Sequence, residues 1–216
     1  MIKGLVFDMD GVIIDSEPIH IDLTVQVMRD IGKEPLPSEI YEFIGVINEE
    51  MWPILIARHD IKESPEELME RQMTYVKKRF FEDKLEPIDG IPQLMQAAKK
   101  QGMKIALATS SPRYFAEHIL KNVGVEAYFD ALVTADEIST GKPNPEIYAK
   151  AALALGLEPG ECVAVEDACK GIQAAKGAGM KCIGFKNPNS GEQDTTQADF
   201  VVSSIRDITL ENLDKL

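Results

Sequence analysis

The chain has 216 residues, of which 36 are Asp or Glu and 23 are Lys or Arg, so its formal net charge is −13. With 44% hydrophobic residues, a chain of this length can bury a core without disulfides, which argues against a disordered protein. An acidic surface repels nucleic-acid phosphates and anionic lipid headgroups. We therefore expect neither a nucleic acid nor a membrane as a partner.

The N-terminal part of the sequence predicts a cytoplasmic protein. Its acidic residues Asp8, Asp10 and Asp15 interrupt the apolar stretch that a signal peptide would need. The longest apolar runs, such as Val12–Ile14 and Ile105–Ala108, fall far short of the ~20 residues of a membrane helix. The three cysteines show no Cys-x-x-Cys spacing, which favours buried thiols over a disulfide framework or a zinc site.

Short apolar runs alternate along the chain with stretches of helical periodicity. Because the runs are nearly continuous in apolar residues, they indicate strands of a parallel sheet that is covered on both faces. This alternation predicts a doubly wound, Rossmann-like α/β core, whose ligands lie at the carboxyl ends of the strands. In chain order, the predicted core elements are strand Gly4–Phe7, helix Ile91–Gln101, strand Met103–Ala108, helix Pro112–Val123, strand Ala131–Val133, helix Pro145–Leu155, and strands Cys162–Val165, Lys181–Phe185 and Phe200–Val202.

One segment after the first strand breaks this pattern. It contains no convincing strand, and both of its ends, at Asp15 and at Pro87–Gly90, are turn-like. We predict a small α-helical cap domain at 15–84, inserted into a catalytic core formed by 1–14 and 85–216. The predicted cap helices are Ile19–Ile31, Ser38–Ile44, Glu49–His59 and Pro65–Phe81.

Asp8 and Asp10 follow the first predicted strand directly. Residues two apart in extended chain point to the same side, so both carboxylates face one space, and Gly11 lets the backbone turn closely around it. Two anions so close repel each other unless a cation or a shared proton compensates. By itself, however, an Asp-x-Asp pair is also typical of a solvated turn.

Further polar residues follow other predicted strands. Thr109 follows the second strand, Lys142 lies in a loop after the third, and Glu166 and Asp167 follow the fourth. Alone, Thr109 could cap a helix, Lys142 could be solvated, and the acidic pair could form a turn. In a parallel sheet all of them meet at one edge. A hydroxyl, a cation and four carboxylates then suit a divalent metal ion together with a phosphate.

At this point the sequence resembles the four motifs of the haloacid dehalogenase superfamily, over essentially the whole chain. The position of the insertion is also similar to that in members with a helical cap. Asp15–His20 and the Gly45–Val46 pair resemble the subgroup of β-phosphoglucomutases and small phosphatases. The matching motifs are Asp8-Met9-Asp10-Gly11-Val12, Thr109, GKPNPE around Lys142, and VEDACKGIQAAKGAGM with Glu166 and Asp167.

The resemblance implies a role for each matched residue. Asp8 would be the nucleophile that forms an aspartyl-phosphate, and Asp10 would act as general acid and then as general base. Thr109 and Lys142 would bind the phosphoryl oxygens, completing the catalytic set. The cap would close over the substrate and exclude bulk water.

The resemblance also implies a metal cofactor, Mg²⁺ or a replacement such as Mn²⁺ or another divalent cation. Asp8, the main-chain carbonyl of Asp10, and Asp167 would hold it. Glu166 would lie in the coordination shell or just behind it.

Departures from the family's subgroup patterns bear on the substrate. Members that act on carbon–halogen bonds or phosphonates lack the second aspartate, so Asp10 favours phosphate esters. Asn48 and Pro112 stand where β-phosphoglucomutase has cationic side chains, which favours hydrolysis of small sugar phosphates over the mutase reaction. A β-phosphoglucomutase remains the alternative because Arg113 could substitute. The candidate substrate-binding residues are Ser110, His20, Gly45, Asn48 and Arg113.

Two other classes of protein share part of this residue pattern. A receiver domain also uses a parallel sheet, an acidic cluster, a hydroxyl and a lysine, but its phosphorylated aspartate follows a middle strand and it has no cap. A silent binding protein would be expected to lack Asp8, Asp10, Lys142 or Asp167, and the sequence has all four. We therefore expect a phosphoric monoester hydrolase with a small-molecule phosphate ester as its partner. The resemblance to family members with this type of cap implies a monomer.

Overall fold

Six parallel strands form the central sheet of the computed structural model, which describes residues 1–44, 46 and 48–213. The order across the sheet is β3-β2-β1-β4-β5-β6. This confirms the predicted doubly wound α/β fold. The strands are β1 (Gly4–Phe7), β2 (Lys104–Ala108), β3 (Ala131–Val133), β4 (Cys162–Glu166), β5 (Lys181–Phe185) and β6 (Phe200–Val202).

The α-helices follow the predicted alternation, with most ends within one or two residues of the prediction. Proline and glycine mark the ends of α7, which starts after Pro145 and stops at Gly156, whose φ of 65° is left-handed. The helices are α1 (Glu17–Asp30), α2 (Pro37–Tyr41), α3 (Asn48–His59), α4 (Pro65–Lys77), α5 (Ile91–Lys100), α6 (Arg113–Asn122), α7 (Glu146–Leu155), α8 (Cys169–Gly177) and α9 (Leu210–Leu213). Within the described part of the chain, none is long and apolar enough to cross a membrane.

Both faces of the sheet are buried, as continuous apolar strands require. On one face, Val6 packs in a cluster with Ile147 of α7 and Ile172 of α8. Leu5 and Phe7, which alternate with Val6 along β1, have no exposed surface either. The end of β1 therefore delivers the next residue, Asp8, into the interior of the domain.

All strands run in the same direction, but successive strands are added on one side of β1 and then on the other. Strands β2 and β3 lie on one side, and β4, β5 and β6 lie on the other. Such a reversal of strand order leaves a crevice at the carboxyl ends of the central strands, where doubly wound sheets bind ligands. The residues that directly follow β1 and β4 border this crevice.

Two compact units make up the chain, Met1–Asp15 with Leu85–Leu216, and Ser16–Lys84. The second unit is helical, and Trp52 and Leu55 are fully buried in its own core. The Trp52 indole donates to Gln72 Oε1 at 3.0 Å, and the Gln72 amide donates to Thr24 Oγ1 at 3.1 Å. These bonds satisfy polar groups that would be costly to bury alone. That this unit acts as a cap stays a prediction.

Two helices of this unit are shorter than predicted. The stretch after Tyr41 continues in tighter turns, with Ile44 donating to the carbonyl three residues before it. Helix α4 ends at Lys77 and a π-helical turn, Lys78–Glu82, follows. Apolar spacing cannot separate these turn types, because it marks the buried face and not the hydrogen-bond partner. One thiol also differs from the prediction, since Cys169 is only half-buried.

Candidate functional site

The loop after β1 brings Asp8 against β4. The Asp8 amide donates to the Val165 carbonyl at 3.1 Å, and three residues later Gly11 turns with a φ of 77°. A Cβ at Gly11 would lie 2.0 Å from Asp167 Oδ2, so any side chain there would collide with that carboxylate. This close approach explains the glycine of the first motif.

Lys142 bridges two carboxylates in the interior. Its Nζ lies 2.6 Å from Asp8 Oδ1 and 2.6 Å from Glu166 Oε1, and its side chain is only 10% exposed. The phenol of Tyr148 donates to the same Glu166 oxygen at 2.9 Å. One cation therefore joins the ends of β1 and β4.

Electrostatics in this cluster follow from burial and from an excess of carboxylates. Burial raises the pKa of Asp8 well above its ordinary value, and repulsion from Glu166 and Asp167 adds to the shift against the attraction of Lys142. Burial disfavours the Lys142 ammonium, but Asp8 and Glu166 outweigh it and hold the pKa of Lys142 above its ordinary value. The lysine is thus a fixed cation.

Three buried carboxylates form a group that could hold a metal ion. Oxygens of Asp8, Glu166 and Asp167 all lie within 4.8 Å of one another. Burial, with repulsion from Glu166, raises the pKa of Asp167 to about 7. A divalent cation would relieve this repulsion, and hard oxygen donors are the ligands that Mg²⁺ prefers. The donor set therefore fits the predicted metal.

Two serines hold acidic residues in place. The Ser190 hydroxyl donates to Asp167 Oδ2, and the Ser111 hydroxyl donates to Asp10 Oδ2 at 3.1 Å. Sequence reasoning missed both. Ser111 adjoins the predicted Ser110 and could have been considered on that ground, whereas Ser190 lies in the loop after β5 and carries no local signal.

The loop that carries Lys142 is anchored by the first residue of α7. One Glu146 oxygen accepts from the amide and hydroxyl of Ser139, at 2.9 and 2.8 Å, and from the Thr140 amide at 3.2 Å. The other oxygen lies 2.7 Å from Lys150 Nζ. Glu146 was not predicted as a site residue, although it closes the GKPNPE motif.

The predicted residues after β2 separate into a buried hydroxyl and an exposed one. Thr109 is buried, its amide extends the β2–β3 pairing to the Val133 carbonyl at 3.0 Å, and its Oγ1 accepts from the Ser111 amide. Ser110 is exposed. The two residues remain candidates for contact with phosphate.

Arg113, a predicted substrate-binding residue, is already engaged by side chains and a carbonyl of the core unit. Its guanidinium donates to Glu137 through Nε at 3.0 Å and through Nη2, to Glu117 at 3.3 Å, and to the Leu132 carbonyl at 3.0 Å. Two carboxylates thus already engage this positive charge, so releasing it to a substrate would break several bonds.

The remaining predicted residues belong to the helical unit. His20 and Asn48 are exposed and line a cavity of about 320 Å³ within that unit, together with Glu17 and Glu49. Gly45 lies outside the described residues.

Comparison with known proteins follows the same lines. Residues 5–185 match the family described as haloacid dehalogenase-like hydrolase. The chain belongs to this family. The sequence is 36% identical over 182 residues to a phosphorylated carbohydrates phosphatase of Thermotoga maritima, covering 84% of this chain and 83% of that protein. It is 32% identical over 218 residues to the β-phosphoglucomutase of Bacillus subtilis, covering 98% and 93% respectively.

A solved structure from Thermotoga maritima that is described as a β-phosphoglucomutase has a TM-score of 0.86 to this chain and 31% sequence identity, covering 100% of both chains. The predicted resemblance, and the prediction of a hydrolase of the phosphatase type, are confirmed by these matches.

Within this haloacid dehalogenase-like hydrolase, a second glycine makes room for the acidic cluster. A Cβ at Gly171 in α8 would lie 1.6 Å from Glu166 Oε1. The Glu166 carboxylate cannot easily move aside, because it is buried and bonded to Lys142 and Tyr148.

We predict that Gly171→Ala displaces this carboxylate. Unfolding free energy in urea should fall by about 1–3 kcal/mol, and hydrolysis of p-nitrophenyl phosphate should fall at least about tenfold. Gly160→Ala is the matched control, since a Cβ there has nothing within 4 Å. It should change stability by no more than about 0.5 kcal/mol. Equal stability and turnover for the two variants would contradict the close approach.

Proposed function

We propose that this chain is a Mg²⁺-dependent phosphatase that hydrolyses small phosphorylated metabolites, in particular sugar phosphates, through an aspartyl-phosphate on Asp8. The observation that carries the proposal is the buried Lys142 ammonium between Asp8 and Glu166 at the crevice of the sheet. Similarity to a phosphatase of phosphorylated carbohydrates supports the substrate class.

In the first step, the Asp8 carboxylate attacks phosphorus while the bond from phosphorus to the ester oxygen breaks. Asp10 gives its proton to that oxygen, so that a neutral alcohol leaves. In the second step, water attacks the aspartyl-phosphate and passes a proton to Asp10, and the bond between Asp8 and phosphorus breaks. The Ser111 hydroxyl orients Asp10 in both steps. The products are the alcohol and inorganic phosphate.

Residues around Asp8 would bind the transferred group. The Lys142 ammonium and the Thr109 hydroxyl would contact phosphoryl oxygens, where charge is concentrated during transfer. Ser110, which follows Thr109 at the surface, would add a further hydroxyl.

The metal ion would be held by Asp8, the Asp10 carbonyl and Asp167, with Glu166 in the coordination shell or just behind it. When bound, Mg²⁺ supplies positive charge that neutralises phosphoryl oxygens. The Ser190 hydroxyl would orient Asp167 toward it.

The helical segment 15–84 would serve as the cap and exclude bulk water during transfer. His20 and Asn48 would be its substrate-binding residues, and the same role for Gly45 stays a prediction from the sequence. Among its described lining residues, the cavity beside His20 and Asn48 has no Lys or Arg, so it suits a neutral polyol better than a second phosphate.

A β-phosphoglucomutase is the second candidate, favoured by similarity to the Bacillus subtilis enzyme. A mutase must hold a bisphosphate at both ends. Asn48 and Pro112 offer no cation for this, and Arg113 is engaged by Glu137 and Glu117. Hydrolysis is therefore the better proposal. The cytoplasmic location and monomeric state stay predictions.

We expect β-glucose 1-phosphate, with a trace of the bisphosphate as primer, to yield glucose and inorganic phosphate, because one phosphate is held and water completes the reaction. Chromatography of the sugar products measures the ratio of glucose to glucose 6-phosphate.

Asp8→Asn should abolish all products, since an amide does not attack phosphorus. Dominant glucose 6-phosphate would reverse the ranking of phosphatase and mutase, and wild-type turnover by Asp8→Asn would refute the nucleophile.

Metal removal should abolish hydrolysis, and added Mg²⁺ should restore it, because the buried carboxylates need a cation to bind phosphate. Calorimetric titration with Mg²⁺ should show binding to the wild type and none to Asp167→Asn. Asp22→Asn, at an exposed position on α1, is the matched control and should bind as the wild type does. Full activity after chelation would show that the acidic cluster acts without a metal.

Asp10→Asn should slow the first turnover of a sugar phosphate much more than that of p-nitrophenyl phosphate, because only the sugar alcohol needs a proton to leave. General acid catalysis contributes about 10²–10⁴-fold, so the two losses should differ by a large part of that range. Rapid-quench measurement isolates phosphorylation of Asp8 from the later hydrolysis. Equal losses for both esters would remove the acid role from Asp10.

A further inference from the structure

Tyr148 contacts both members of the Lys142–Glu166 ion pair. Its side chain has no exposed surface, and its hydroxyl donates to Glu166 Oε1 at 2.9 Å. The same oxygen accepts from Lys142 Nζ at 2.6 Å. In addition, Nζ lies 5.2 Å from the centre of the Tyr148 ring, within the range of a cation–π interaction.

Glu166 is held from three directions. Lys142 and Tyr148 donate to Oε1, while the Ala168 amide donates to Oε2 at 3.0 Å. The missing Cβ of Gly171 leaves the carboxylate just enough space. Glu166 is therefore a fixed point in the interior, and the lysine ammonium is placed between it and Asp8.

We propose that Tyr148 is a positioning residue for the phosphoryl-transfer reaction and that it acts through its hydroxyl group. By satisfying Glu166, it keeps the Lys142 ammonium shared with Asp8 and available to the transferred phosphoryl group. This inference rests on the proposed phosphatase function.

The physical reason is competition between two carboxylates for one cation. Without the hydroxyl, Lys142 is the one donor to Glu166 Oε1 that remains among the described residues. A buried carboxylate that is short of donors attracts the ammonium more strongly. The lysine stem is flexible enough to follow. A shift away from Asp8 would weaken contacts that matter most in the transition state, where small displacements are costly.

The experiment compares Tyr148→Phe with Tyr41→Phe, in which an exposed tyrosine of α2 loses the same atom. We expect kcat for p-nitrophenyl phosphate to fall roughly tenfold in Tyr148→Phe, the value of one hydrogen bond to a charged group. KM should stay within about twofold, because the lost contact acts mainly in the transition state. Tyr41→Phe should match the wild type.

Rates are referred to the folded fraction, measured by near-ultraviolet circular dichroism. A merely structural tyrosine would lower the unfolding midpoint and leave kcat per folded molecule unchanged, which would overturn the proposal. If Tyr148→Phe does not fold, Tyr148→Met takes its place, because methionine lacks the hydroxyl and adapts to irregular cavities. The same loss of kcat is expected.

Glu166→Gln supplies the second arm. Because the hydroxyl acts through the Glu166 carboxylate, adding Tyr148→Phe to this variant should lower kcat by less than about twofold. An equal loss in both backgrounds would overturn the proposal. If the wild type hydrolyses phosphate esters and Tyr148→Phe has the same kcat, this inference alone is overturned. Absence of turnover by the wild type on any phosphate ester would defeat the phosphatase function and this inference together.

Discussion

The buried ion pair that Lys142 makes with Asp8 and Glu166 is the interaction on which the site depends. One ammonium lies 2.6 Å from an oxygen of each carboxylate, and all three side chains are almost fully buried. Leaving one of these charges alone in the interior would cost about 3–5 kcal/mol. Three distant segments of the chain must therefore stay together, and the architecture of the core can be understood as the means of keeping them so.

The parallel sheet supplies the first part of this arrangement. Strands β1 and β4 are neighbours, and their register pairs Phe7 with Val165, so the next residues, Asp8 and Glu166, follow side by side. The second part comes from α7, whose first residue, Glu146, anchors the loop that carries Lys142. The backbone thus brings the carboxylates together. The anchored loop adds the Lys142 ammonium, which offsets the repulsion between them.

Close packing around the carboxylates explains why glycine occurs beside them. Gly11 passes against Asp167, and Gly171 lies against Glu166, each at a distance that leaves no space for a methyl group. Hydroxyls complete the arrangement, with Ser190 on Asp167 and Tyr148 on Glu166. Asp167 and Glu166 are thus both crowded and hydrogen-bonded, which restricts their movement, and a fixed arrangement would suit the proposed phosphoryl transfer.

The sequence by itself determined the strands, the doubly wound fold and the acidic residues at the strand ends, because burial and periodicity are local properties that short apolar runs record. Family membership followed from the same motifs. Only the tertiary structure decided that Arg113 is engaged by Glu137, that Ser190 bonds to Asp167, and that Tyr148 bonds to Glu166. These contacts join residues that lie 18 to 24 positions apart and come from different segments of the chain. They depend on side-chain geometry and packing, and no regular spacing along the sequence predicts them.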